Sequence, residues 1–541
     1  MNTGGSRSYK LIVVVSFLLS LGCSCAHFNP PDPEDYIGPK AAEPNVSMAK
    51  KPGDVSPQPA AVEPPVEAGP LRITTEQATL LALENNRSLV VERLNPQISR
   101  TFVSERLSIF DPVLSAQLGY EWDQLDEGST DVEQEGPMAS VGVQEFLPTG
   151  TTLGVTGSTG LYGPSLPASD DEEYASALAF NATQSLLRGA GTAVNMASVN
   201  QARIDVEISQ YELRGFIQTL IAQVEETYWD YALAQRRIEI YTQSLELAEK
   251  QLEETQERIK LGDLAKTEIS AAEAEVALRR EDLINARSAL AKTKLSLLRL
   301  VNPPGADLWD REITLDSLPA IPPITLDEVE PHVALAMRTR PDLNQAKLLW
   351  RRGELEVVKT RNGLLPKLDL FATLGRTGYA DSFGRSITTS DDYGYNALAG
   401  LSFEFPVQNR AAQSSHLRAV LSRQQAREAV GNLSQLIEVD VRTAYLEIAR
   451  SQEQVAATAV TRRLQEEKVR VETEKFRLGK STSLLVAQAQ RDLVSSQIDE
   501  IQAVVNYLKS FVEIYRLEGS LLERRGIAGP GREPVEWPAE P

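Results

Sequence analysis

The residues able to do chemistry in this 541-residue chain are few. There are three histidines, His27, His332 and His416, and two cysteines, Cys23 and Cys25. A structural zinc site needs about four Cys or His ligands held together. With both thiols at one end of the chain, neither such a site nor a disulfide framework is expected. His332 and His416 stand far apart, and no motif surrounds either. No glycine-rich phosphate loop occurs, and no nucleophile elbow with partners. The adjacent acids Glu225-Glu226 and Glu253-Glu254 read as solvated helix faces rather than acid–base pairs. The sequence therefore predicts no enzyme, no catalytic residue, no metal site and no cofactor. The balance of 55 basic against 75 acidic residues, net −20, disfavours a nucleic-acid partner. At 42% apolar and 24% charged residues, the chain is expected to fold.

The one thiol with an evident task is Cys23. Arg7 and Lys10 precede an apolar run from Leu11 to Leu21. That run is too short to cross about 30 Å of hydrocarbon as a helix, and residues 1–22 read as a secretory signal. Leu19-Ser20-Leu21-Gly22-Cys23 resembles a bacterial lipobox, although Ser20 stands where such boxes usually carry leucine. On that reading Cys23 is lipidated. Cleavage near Ala26 is the alternative, and either way the mature chain leaves the cytoplasm. Residues 23–70 form a linker, in which positions 29–70 hold 11 of the 30 prolines. Such a segment buries too little apolar surface to offset its chain entropy. The same is expected of a disordered tail over 521–541.

The body between these segments is a tandem repeat. Val224-Glu-Glu-Thr-Tyr228 matches Val441-Arg-Thr-Ala-Tyr445 at an offset of 441 − 224 = 217. The same offset carries Leu261-Gly262 onto Leu478-Gly479 and Leu300 onto Leu517. Upstream, Ala82, Leu89 and Pro112 match Ala336, Leu343 and Pro366 at an offset of 254. The first copy, 71–301, therefore carries 254 − 217 = 37 residues more than the second, 302–520. Each copy opens with a capping box, Thr74-x-x-Gln77 and Thr325-x-x-Glu328. A short helical region follows, broken at Pro96 in the first copy. Strands come next, and then two long helices joined at a Leu-Gly turn.

Ile238, Tyr241, Leu245, Ala248, Leu252, Thr255 and Ile259 step alternately by three and four. Ile269, Val276, Leu283, Leu290 and Leu297 recur every seven, as do Val486, Leu493, Glu500, Tyr507 and Ile514, with Glu500 a charged break. This is a coiled-coil seam pattern. Alternating apolar and polar residues mark strands at Leu114–Trp122, Ala177–Thr183, Leu368–Leu374 and Leu398–Phe405. Aromatics gather there: Tyr120, Trp122, Phe146, Phe180, Phe371, Tyr379, Tyr393, Tyr395, Phe403 and Phe405. Membrane-crossing strands with aromatic girdles would give this pattern, and so would a half-buried soluble sheet. The excess of the first copy coincides with Ala139–Phe146 and Thr151–Thr156, turned by Pro148-Thr149-Gly150. It either adds a hairpin to the sheet, the reading preferred here, or forms an extended loop.

Over 71–520 the chain resembles the outer-membrane efflux protein (TolC-like) family, in its lipid-anchored branch. The residues that carry the resemblance are Ile73-Thr-x-Glu76-Gln77-Ala78 with Ala82-Leu83, Arg340-Pro341-Asp342-Leu343, Leu365-Pro366-x-Leu368, Phe403-Glu404-Phe405-Pro406-Val407 and Arg477-Leu478-Gly479. Gln184-Ser185-Leu186-Leu187-Arg188-Gly189 looks like the strand-to-helix junction of the first copy. The resemblance implies an α+β membrane protein that works as a homotrimer. One shared transmembrane β-barrel in outer-membrane lipid would continue into a long coiled-coil helical barrel in the periplasm.

By the same resemblance the protein is the outer-membrane exit duct of a tripartite efflux or type I secretion system. It would act with a periplasmic adaptor (membrane fusion) protein and an inner-membrane transporter, passing small amphiphilic compounds or secreted protein. The hairpin tips, Arg258, Leu261 and Gly262 with Arg477, Leu478 and Gly479, would dock the adaptor. Ser481-Thr-Ser-Leu-Leu485 follows the second tip where such channels carry aspartates. A periplasmic constriction is therefore expected at Asp263, Glu268 and Gln488 instead. The alternative function is a non-transporting, lipid-anchored coiled-coil scaffold of the envelope.

Overall fold

The computed structural model describes residues 70–537, apart from 128–129, 163–172, 263, 306–307, 318, 322–327, 381–384 and 387–391. The expected signal, Cys23 and its linker lie outside the described residues, as do Asp263 and Thr325. The order of elements is β1 (Leu71–Ile73), α1 (Thr75–Asn85), α2 (Arg87–Glu92), α3 (Asn95–Leu107), β2 (Val113–Glu127), β3 (Thr130–Phe146), β4 (Thr151–Tyr162), β5 (Glu173–Ser185), α4 (Thr192–Asn195), α5 (Ala197–Lys260) and α6 (Glu268–Val301). It continues with β6 (Ile313–Leu315), α7 (Val329–Thr339), α8 (Pro341–Gly363), β7 (Lys367–Ala380), β8 (Asp392–Glu404), α9 (Arg410–Arg477), α10 (Ser483–Leu517) and α11 (Leu521–Arg524).

Local chemistry explains most of the boundaries. Thr74 accepts from the Gln77 backbone N–H while the Gln77 side chain accepts from that of Thr74, so the first capping box closes α1. Pro96 sits in the first turn of α3, where it lacks no needed donor, and the chain breaks just before it. The uninterrupted stretch after Gly191 becomes the 64 residues of α5, and α9 has 68. At 1.5 Å per residue each is roughly 100 Å long. Among the described residues no helix is apolar enough over its length to cross a membrane.

Every predicted seam position from Ile238 to Ile259 is buried or half-buried. So is the seven-residue series of α6, and that of α10. Glu500, the charged break, ion-pairs with Arg462 of α9 at 2.6 Å, so α9 supplies the counter-charge. The core sits where the roots of both long hairpins meet α1 and α7. Ile73, Leu89, Ile221, Tyr228, Leu297, Leu298, Ile437 and Ile514 are almost wholly buried there. Each such apolar side chain contributes about 1.5–3 kcal/mol of burial free energy. A two-stranded parallel sheet, β1 with β6, caps this core. The Tyr228 hydroxyl ties its ends together, donating to the Ile73 carbonyl and accepting from the Ser317 N–H.

Two expectations fail here for one reason, the C-terminal segment. The composition of 521–541 predicts a disordered tail, but its described residues, 521–537, form a strap over α5 and α8. The Tyr211 hydroxyl donates to the Glu533 carbonyl, the Val535 N–H donates to Asn344 Oδ1 at 2.9 Å, and the Trp350 and Trp537 rings lie 4.9 Å apart. Proline-rich composition does not prevent packing when the partners are already ordered. The strap also overturns the exposed setting of Glu225. That side chain is 2% exposed and accepts two hydrogen bonds from Arg525, at 2.6 and 2.7 Å. Glu253 and Glu254 are exposed as expected.

Candidate functional site

Two regions hold the residues with functional potential: the hairpin tips and a six-stranded sheet at the other end of the long helices. At the tips, α5 ends at Lys260 and α9 at Arg477. Gly262 and Gly479 follow with φ of 83° and 70°, and nothing lies within 4 Å of a Cβ built on either. Glycine is thus required by backbone conformation rather than by space. The second tip is a full Schellman stop: Gly479 N–H donates to Phe476 O at 3.0 Å and Lys480 N–H to Lys475 O at 2.8 Å. Thr482 then caps α10.

Leu261 and Leu478 project at the tips, 78% and 70% exposed. The Arg258 guanidinium lies over the Phe476 ring, 5.1 Å from its centroid, and so links the two hairpins. Arg477 pairs with Glu474 at 3.0 Å on the exposed face of its own helix. Lys475 and Ser481 both hydrogen-bond Glu472 and hold its carboxyl below the usual range, the lysine first. Glu268 accepts from the Ser483 hydroxyl, so the first residues of α6 and α10 are joined. Gln488 is exposed one turn beyond the exposed Leu484 and Leu485. The structure therefore gathers Arg258, Arg477 and both Leu-Gly pairs at one end. Sequence alone assigns no role to Phe476, which adjoins the tip motif, or to Ser483, which lies in the Ser481–Leu485 run.

The sheet has the order β2-β3-β4-β5-β7-β8, antiparallel throughout. The preferred hairpin reading agrees with this, since β3 and β4 are inner strands. The strands run to between 12 and 17 residues, longer than the alternating stretches predicted, because pairing continues beyond the apolar alternation. β2 and β8 are the edges, each with one strand neighbour among the described residues.

Directly paired residues share a face, so the register sorts the side chains. One row reads Leu114, Val143, Val155, Phe180, Leu374 and Ala397 across all six strands. The row behind it reads Ser115, Gly142, Thr156, Ala179, Gly375 and Asn396. In these rows one side is apolar and the other small and polar; Glu145 and Arg376 also stand on the apolar side, and Tyr379 on the polar one. Tyr120, Phe180, Tyr395 and Phe403 lie on the apolar face. Phe146 and Phe371 do not, so the aromatics are not one girdle. Phe146 stacks on Phe110, and the Phe371 ring covers Gly400. The side chains of Trp122 and Tyr393 lie outside the described ones.

The two described histidines, His332 and His416, serve packing. His332 Nδ1 lies 2.5 Å from Glu518 Oε2, and Glu518 also binds Arg524 at 2.9 Å, so this buried carboxylate is an ionic hub under α11. His416 Nδ1 is 3.2 Å from Thr360 Oγ1. Among the described residues no group of three His, Cys, Asp or Glu side chains is placed to hold a metal ion.

The fold is similar to that of known channels. The outer-membrane channel OprN superposes with a TM-score of 0.65 at 16% identity, covering 82% of this chain and 90% of that one. The CmeC outer membrane channel of Campylobacter jejuni gives 0.64 at 12% identity, over 88% and 94%. The MtrE outer membrane channel of Neisseria gonorrhoeae, in its open state, gives 0.58 at 17%, over 89% and 98%. Among curated proteins none matches the sequence. Residues 80–302 and 333–520, more than half of the chain, match the family described as outer membrane efflux protein, and the chain belongs to that family.

Proposed function

We propose that this chain is one subunit of a passive exit duct through the outer membrane. Three copies join their sheets edge to edge into one barrel, and their long hairpins continue it as a helical tunnel through the periplasm. The observation that carries this reading is the open sheet with one apolar face. In lipid, the unpaired N–H and C=O groups along β2 and β8 would each cost several kcal/mol, so the sheet needs partners on both edges. Copies of the same chain supply strands of the right length and facing. The apolar row then meets lipid and the polar row lines water.

The tips are the docking end. Exposed Leu261 and Leu478, each beside a glycine that turns the chain, offer short apolar knobs to the helices of a periplasmic adaptor. An inner-membrane transporter supplies the energy. Of the residues expected at a constriction, Glu268 spends its carboxylate on Ser483 within its own protomer. Gln488, exposed beside Leu484 and Leu485, is better placed to face an axis. Cys23 is the lipid anchor that holds the N-terminal linker at the membrane. Small amphiphiles and secreted protein are the cargo classes suggested by the resemblance.

Adjacent cysteines test the facing. In a Cys25→Ser background, Thr156→Cys should react with a hydrophilic maleimide, while a fluorophore at Val155→Cys should be quenched by lipid-borne quenchers. Both positions labelled alike from water would refute a membrane-spanning sheet and bring the envelope scaffold forward.

A further inference from the structure

The extra segment of the first half fixes how wide this duct is. We infer that the barrel has eighteen strands, three copies of six, and so takes bulky hydrated cargo rather than only slender amphiphiles. This rests on the exit-duct reading and adds the pore's size to it.

Three observations make β3 and β4 wall rather than flap. They are interior strands, paired on both sides, so removing them from the wall would break three ladders. Their faces follow the rest of the sheet, with Val143 and Val155 in the apolar row and Gly142 and Thr156 in the polar one. Their turn is built into the root of the helices. Gly150 has φ 87°, and a Cβ there would stand 2.2 Å from the Gly189 carbonyl oxygen. Asn195 Nδ2 donates to both Pro148 O at 3.0 Å and Gly189 O at 2.9 Å, and Gly191 N–H donates to Thr149 O at 3.1 Å. A loose loop has no such seat at the strand-to-helix junction.

Size follows from strand number. With strands about 4.8 Å apart and tilted about 40°, eighteen give a backbone diameter of about 36 Å. Four strands per copy would give about 24 Å on the same geometry. In this row the inward glycine, alanine, serine, threonine and asparagine take little of that width, while Phe146, Phe371 and Tyr379 stand on the same face toward the two ends of the strands. The row is also uncharged, so at this level water and large polar solutes pass without selection by sign. Selection is left to the tips, far from the sheet.

Electron cryo-microscopy of the full-length protein in lipid nanodiscs tests this directly. End-on sections through the barrel should show eighteen strands and a backbone diameter near 36 Å. A closed trimeric barrel of twelve strands, with 130–162 outside the wall, would overturn the width while leaving the duct intact. A particle without a closed barrel would overturn both.

Discussion

The two halves of this protein share several buried positions and differ most where the sequence lengths differ. Val224 and Val441, 217 residues apart, are both fully buried, and Ala82 and Ala336, 254 apart, are buried equally. Gly262 and Gly479 take the same left-handed turn. Yet the first half gives four strands to the large sheet and the second gives two. The added hairpin enters as a pair, which keeps the strands antiparallel and both faces in phase. A single added strand would have sent the following helices to the opposite end of the sheet.

The contrast can be broken first at the turns. Gly150→Val should be the most damaging single change, because it combines an unfavourable φ with a backbone clash. A loss of about 3 kcal/mol or more is expected, read as a lowered melting temperature and failure to assemble. Gly479→Val faces open space and carries only the conformational cost, about 1–2 kcal/mol. It should assemble normally and lower adaptor affinity at least about tenfold in a direct binding assay. Unchanged affinity would remove the docking role of the tip.

A second pair compares positions at the 217-residue offset. Glu225 is buried against Arg525, whereas its counterpart Arg442 is an exposed partner of Glu438. Glu225→Gln leaves a partly exposed guanidinium without its counter-charge, and about 2–3 kcal/mol should be lost. Arg442→Ala should leave the melting temperature unchanged. Equal effects at the two positions would mean that the C-terminal strap adds nothing to stability.

The smallest effect concerns the neighbouring acid. Burial pushes the Glu226 carboxyl up, and Lys509 opposes the shift. A raised folded-state pKa means that the native state holds the proton more tightly, so stability falls as pH rises through the window between the unfolded and folded values. Glu226→Gln should therefore raise the melting temperature slightly at neutral pH. The advantage should vanish below the ordinary carboxylate range.

How much of this was legible depends on the distance over which the physics acts. Local rules placed the Thr74 cap, the break at Pro96 and the glycine stops of both tips. Periodicity placed the long helices and their seams from Ile238 and Val486 onward. It could not place the strap, because the partners of Arg525 and Glu533 lie some 300 residues away, at Glu225 and Tyr211. It also could not sort the aromatics. Whether Phe371 meets lipid or covers Gly400 is decided by register, and the β5–β7 pairing that fixes register joins strands on either side of the first long hairpin. At the tips, the motif gave the turn but not the Arg258–Phe476 contact that links the two hairpins.

The central claim is that three copies make one closed duct. The most direct test is the protein mass of the particle extracted from outer membranes in mild detergent, by light scattering corrected for bound detergent. Three times the mature chain is the predicted result. A stable monomer or dimer would leave the edges of β2 and β8 unpaired in lipid and would contradict the account.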